Sequence, residues 1–271
     1  MPHPRTGHDE REDHDKGLSH DLPTLVSRRR ALGILGGLGL AATVAGCSGD
    51  DDATTTADVS EGEGEIPEET AGPFSGDGSN GVNVLTESGI VRSDITTSFG
   101  SSTTVAEGVP LTLRLRVLDV SDGGSAGGLA GAAVYLWHCD REGRYSLYSD
   151  GVTDENYLRG VQQADGDGYV TFTSIYPAAY AGRWPHIHFE VYPSIDDATS
   201  ASNKLRTTQL ALPEDVSRRV YATDGYDAST ANLDQTSLDR DMVFSDGYSL
   251  QLAIVTGSVD SGLTATLNVP V

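Results

Sequence analysis

The sequence predicts an all-β domain, a β-sandwich with an Ig-like or prealbumin-like core and long loops. Three features carry that expectation. Helical periodicity is scarce after residue 66, whereas short stretches with an apolar residue at every second position recur. Clusters of Gly, Asp and Ser separate those stretches, as turns do between short strands. With the N-terminal part set aside, roughly 200 residues remain, a length that commonly makes one sandwich with a full core.

The clearest strand begins at Leu111. There Leu111, Leu113, Leu115 and Val117 share one face and Thr112, Arg114 and Arg116 the other. Further strands are expected over 132–138, 169–175, 186–191, 205–212, 249–255 and 263–269, with turn signals at 121–128 and 165–168. Pro213 and the acidic residues after it can open a short helix. The polar stretch from 212 to 249 reads as a long surface excursion. No internal repeat is present.

The N-terminal part reads as an address. Ser27, Arg28, Arg29 and Arg30 precede an uncharged run rich in Gly, Ala and Leu, the pattern of a twin-arginine export signal. The run is short and glycine-diluted for a bilayer span, which takes ~20 strongly apolar residues. It ends in Val44, Ala45, Gly46 and Cys47, which resemble a bacterial lipobox. That resemblance implies cleavage before Cys47 and a lipid anchor on an exported protein. Residues 48–66 are too poor in apolar side chains to fold and read as a flexible acidic tether. The expected organisation is therefore a signal over 1–47, a tether over 48–66 and a sandwich over 67–271.

The chain carries 18 Lys and Arg against 40 Asp and Glu, a formal net charge of -22. Such a charge repels nucleic-acid phosphates and anionic lipid headgroups, so no nucleic-acid partner is expected, and a membrane is met only through the lipid. Of the two cysteines, Cys139 has no intramolecular partner if Cys47 is lipidated, so no disulfide framework is available.

Of seven histidines, only His138, His186 and His188 follow the export signal. The spacing of His186 and His188 puts two imidazoles on one face of a strand, which is plausible ligand geometry. Tyr180 lies upstream of His186, with Gly182 and Pro185 between them to turn the chain, and Tyr145 closes a second strand-to-turn segment. Two phenolates and two imidazoles would suit iron(III) better than zinc. Other readings of the same residues are a copper or zinc protein using only His186 and His188, a zinc-like group of His138, Cys139 and Asp140, and a non-catalytic cell-surface sandwich that binds sugars or proteins.

Three stretches resemble the intradiol ring-cleavage dioxygenases, the family of catechol 1,2-dioxygenase and protocatechuate 3,4-dioxygenase. They run from Gly131 to Tyr145, from Tyr157 through Gly168 and Phe172 to Tyr180, and from Gly182 to Phe189. The resemblance implies an iron(III) cofactor held by Tyr145, Tyr180, His186 and His188, with Arg183 as the active-site arginine. It further implies a small aromatic diol and dioxygen as reactants, with Tyr180 leaving the metal to accept a substrate proton. The products would be muconate-type diacids. Weaker echoes are Gly72, Pro73 and Phe74 on the substrate side and Gln209 near the bound ring. The interval from Tyr180 to His186 is shorter than in the best-known members, which removes loop residues that would shape the pocket. Residues 214–271 receive no functional reading.

Overall fold

The computed structural model describes residues 64–121 and 126–271. The export signal, Cys47 and nearly all of the expected tether lie outside the described residues.

Among the described residues nine strands form two sheets: β1 (Pro110–Asp119), β2 (Gly127–Gly128), β3 (Ala133–Trp137), β4 (Arg159–Gln163), β5 (Tyr169–Ile175), β6 (His186–Tyr192), β7 (Arg206–Ala211), β8 (Ile254–Ser258) and β9 (Gly262–Pro270). One sheet runs β2-β1-β9-β8, with β5 also paired to β1, and the other runs β4-β3-β6-β7. The pairing of β1 with β9 is parallel and the other strand pairs are antiparallel. This is the all-β sandwich that the alternation predicts. Leu111, Leu113, Leu115 and Val117 of β1 face Val134, Leu136, Ile187, Phe189 and Val191 of the second sheet in one core. Each such side chain contributes about 1.5–3 kcal/mol on burial.

Strand β6 is buried at all seven positions. Ile187, Phe189 and Val191 enter the inter-sheet core, whereas Tyr192 on the opposite face joins a second cluster with Tyr135, Trp137 and Tyr145. Because side chains alternate along a strand, His186 and His188 lie on that second face. The second face is thus closed to water, which makes it a place where polar groups need partners.

Two expectations need correction, and one strand had no sequence signal. The strand expected over 249–255 begins at Ile254. Strand β4 carried no alternation signal, because Arg159 sits where a strand of this kind usually holds an apolar residue. Its guanidinium is nevertheless buried, donating to the carbonyls of Phe74, Ser75 and Ser146 and to the hydroxyls of Ser146 and Tyr135. The stretch 212–249 is no surface excursion. It forms α1 (Glu214–Val220) and α2 (Ser229–Leu233), and its Val216, Val220, Tyr221, Tyr226, Leu233, Val243 and Phe244 join the main core. Among the described residues, no helix is long and apolar enough to cross a membrane.

Candidate metal centre

Two loops and one strand converge on the second face of β6. After β3 the chain turns at Asp140, whose Oδ1 accepts the main-chain N–H groups of Glu142 and Arg144. This Asx-type turn aims Tyr145 back across the sheet. Gly143, at φ 85°, adopts the left-handed backbone that glycine favours, and the Tyr180 side chain packs beside it. The main-chain N–H of Arg183 donates to the Tyr180 carbonyl at 3.3 Å, closing the short turn that leads into β6.

The polar atoms of the four residues that the sequence singles out meet here. Tyr145 Oη lies 3.4 Å from Tyr180 Oη, Tyr180 Oη lies 3.0 Å from His186 Nε2, and His186 Nε2 lies 3.1 Å from His188 Nε2. Trp137 stacks on His188 with centroids 5.1 Å apart and planes 7° off parallel. Phe74 packs on Tyr145 at 4.9 Å. Gly72, with φ 70°, faces His188 Cε1. Gln209 accepts from Arg183 Nη2 at 2.7 Å and donates to the carbonyl of Thr70 at 2.9 Å. It therefore ties the arginine to the segment that carries Gly72 and Phe74.

The electrostatics follow from burial. Burial, with the Arg183 charge adding to it, pushes the pKa of His186 well below 6.5, and burial with His186 beside it does the same to His188. Both imidazoles are neutral, and each has one N–H to give. His186 spends its N–H from Nδ1 on the carbonyl of Trp184, so its Nε2 is an acceptor lone pair, facing Tyr180 Oη and His188 Nε2. Nδ1 of His188 is buried with no partner. If His188 keeps its proton on Nδ1, two lone pairs face each other; if it keeps it on Nε2, a buried acceptor is orphaned. Burial also raises the Tyr145 phenol well above its usual range, and it pushes Tyr180 up to about 12 against the pull of Arg183.

A cation resolves all of this at once. Two donors about 2 Å from one ion and roughly at right angles to a tetrahedral angle apart stand about 2.8–3.3 Å from each other. The 3.0 and 3.1 Å separations fall in that range and the 3.4 Å between the two phenol oxygens lies just above it, and a strongly cationic centre would bring buried phenols to phenolates near neutral pH. The donor set therefore fits a hard trivalent ion such as iron(III), bound by Tyr145, Tyr180, His186 and His188.

His138 does not join this group. Its Nδ1 pairs with the Cys139 carbonyl at 2.8 Å and its Nε2 with Ser174 Oγ at 2.7 Å. Cys139 Sγ is directed at the Ala178 carbonyl. Among the described residues, no three His, Cys, Asp or Glu side chains cluster as metal ligands, so the zinc-like group of His138, Cys139 and Asp140 is not formed.

Sequence reasoning missed Asp241. It lies in the stretch expected to be solvated, yet its carboxylate is fully buried and holds Arg183 Nε at 2.9 Å. No local signal marks it, because its partner is 58 residues away.

Comparison with known proteins gives the class to which this arrangement is similar. A family model described as Dioxygenase matches residues 90–190. That span contains Tyr145, Tyr180, Arg183, His186 and His188 but not Gly72, Gln209 or Asp241. The intradiol ring-cleavage dioxygenase from Tetranychus urticae is 23% identical, covers 76% of this chain and 94% of its own, and superposes with a TM-score of 0.60. The hydroxyquinol 1,2-dioxygenase from Pseudomonas putida DLL-E4 is 17% identical over 76% of this chain and 66% of its own, with a TM-score of 0.45. The first of these, at that identity, establishes a shared fold.

Proposed function

We propose that this protein is a non-haem iron(III) intradiol dioxygenase that cleaves catechol-type rings between the two hydroxylated carbons, giving muconate-type diacids. The observation that carries the reading is the convergence of Tyr145 Oη, Tyr180 Oη, His186 Nε2 and His188 Nε2 within one buried volume. The match to the dioxygenase family over 90–190 supports it. Bound iron(III) would supply Lewis acidity toward the diol oxygens and redox access to dioxygen.

The chain's own residues divide the remaining work. Tyr145, 2% exposed and packed against Phe74, stays a ligand with His186 and His188. Tyr180 is the partly exposed member of the set. It can swing away and take a proton from the incoming diol at its Oη. Its high phenol pKa makes the freed phenolate a competent base for that proton. Arg183 presents Nη1 beside His186 Nε2 at 3.4 Å, where negative charge gathers during reaction. Phe74 forms an apolar wall that excludes water from the ring.

Metal analysis and a visible spectrum of the purified protein test this directly. Iron bound by tyrosinate should be coloured, with a band that shifts when catechol is added without oxygen. A colourless protein that takes up only zinc or copper would rule the reading out. The proposal includes export and lipid anchoring of the domain, supported by Arg28, Arg29 and Cys47. Changing both arginines to Lys should retain the precursor inside the cell, and Cys47→Ala should release the protein from membranes or leave it uncleaved.

A further inference from the structure

The connection between α2 and β8 lies outside the family match, yet it touches the centre through one residue. Asp241 is fully buried, and its carboxylate takes five N–H groups. Arg183 Nε donates to Oδ2 at 2.9 Å and Nη2 to Oδ1 at 3.3 Å. The main-chain N–H of Trp184 donates to Oδ2 at 2.7 Å, and those of Val243 and Phe244 donate to Oδ1 at 2.9 and 3.4 Å. These five donors fix the carboxylate in place against the arginine.

The consequence falls on the guanidinium. Both hydrogens of Nη2 are committed, one to Asp241 and one to Gln209 Oε1 at 2.7 Å, and Nε–H is committed to Asp241. A carboxylate is clamped by two parallel N–H bonds from one edge of a guanidinium, and each edge of Arg183 has lost a donor that this would need. Only Nη1 is left to face the four converging donor atoms. The positive charge of Arg183 is offset by a negative one 2.9 Å away.

We propose that Asp241 is a positioning and specificity-determining residue: it holds Arg183 so that Nη1 alone faces the substrate, and it cancels the charge that would attract an acidic ring. The favoured substrates are then uncharged catechols rather than catechols bearing a carboxylate. This rests on the dioxygenase reading above.

The test uses the full chain and two variants. Asp241→Asn keeps the volume and an acceptor for the main-chain N–H groups but removes the charge, while Asp241→Glu keeps the charge on a longer stem. In the iron-loaded protein, Asp241→Asn should lower kcat on catechol by about tenfold or more. The same variant should raise the kcat/KM ratio of 3,4-dihydroxybenzoate to catechol by about tenfold, as the guanidinium becomes free to pair with the acid. Asp241→Glu should restore the ratio while leaving kcat reduced. Without metal or turnover, nitrogen-15 NMR should find the Arg183 Nε proton protected from solvent exchange and much less so in Asp241→Asn.

A folded Asp241→Asn protein with unchanged kcat and unchanged substrate ratio overturns the proposal and leaves Asp241 a structural staple. Should that variant not fold, an unchanged kcat in Asp241→Glu overturns it instead. If the unmutated protein cleaves no catechol, the dioxygenase reading fails separately. Rapid exchange of the Arg183 Nε proton would then also remove the positioning role, whereas slow exchange would retain it.

Discussion

Three histidines are buried on or beside the sheet β4-β3-β6-β7, and their ring nitrogens are served differently. His138 has a partner on each nitrogen, Cys139 carbonyl on one side and Ser174 hydroxyl on the other. His186 and His188 turn their Nε2 atoms toward one another, and His188 Nδ1 has no partner. Burial is the same for all three, so burial does not separate a structural histidine from a candidate ligand. What separates them is where the ring nitrogens point: both of His138 are taken up by Cys139 and Ser174, whereas the Nε2 atoms of His186 and His188 converge with Tyr180 Oη. A satisfied ring has nothing to offer a metal, and an incomplete pair of lone pairs is costly unless a cation sits between them.

The largest expected effect would break this contrast on the metal side. His186→Ala, His188→Ala and Tyr145→Phe should each lower iron per chain drastically, with affinity down ~100-fold or more, whereas His138→Gln should leave iron content unchanged. Loss of iron from the His138 variant at unchanged stability would show that the distinction is false. Next comes Tyr180, the ligand proposed to move. Tyr180→Phe should retain part of the iron yet cut turnover per iron by roughly 100-fold or more, since the diol loses its proton acceptor. A rate per iron equal to the unmutated protein would remove Tyr180 from the chemistry.

The contrast can be sharpened by pH. Burial pushes His138 down from 6.5 to about 4, against a smaller lift from the Cys139 carbonyl and Asp140. Between those values the unfolded chain takes up a proton that the native protein refuses. The contribution of neutral His138 is complete above pH 6.5 and is lost as pH falls to 4, by up to ~3 kcal/mol in all. Denaturant titrations of metal-free protein should show that slope. It should be shallower by one proton in His138→Gln than in the parent, in which His186 and His188 titrate the same way. Equal slopes would mean His138 is not buried neutral.

The smallest effect lies on the other face of the same strand. Ile187→Val should cost about 0.5–1.5 kcal/mol of stability through the inter-sheet core and leave iron binding untouched. A loss of iron there would mean that the two faces of β6 are not independent.

Much of this was legible in residue order, and the reason is local. A period of two in the side chains placed Leu111 to Val117 on a core face and put His186 and His188 together, because neighbours two apart on a strand share a face whatever the rest of the chain does. Asp165 and Gly168 announced their turn in the same way, with Asp165 Oδ1 accepting the N–H groups of Asp167 and Tyr169. The identity of Tyr145 and Tyr180 as candidates came from motif resemblance rather than from any physical pattern, since 35 residues separate them.

Tertiary structure alone decided the rest. Strand β4 pairs with β3 and can bury Arg159 because its guanidinium finds five acceptors on other segments, an outcome that hydrophobic period cannot encode. The polar stretch after β7 packs because its larger apolar residues, Val216, Val220, Leu233 and Phe244 among them, turn inward. Asp241 could be any acidic residue of a charged chain until the fold brings Arg183 against it. Period and turn chemistry act between neighbours, so sequence reveals them; the completion or incompletion of a buried hydrogen bond depends on partners tens of residues away, and only the packed chain supplies those.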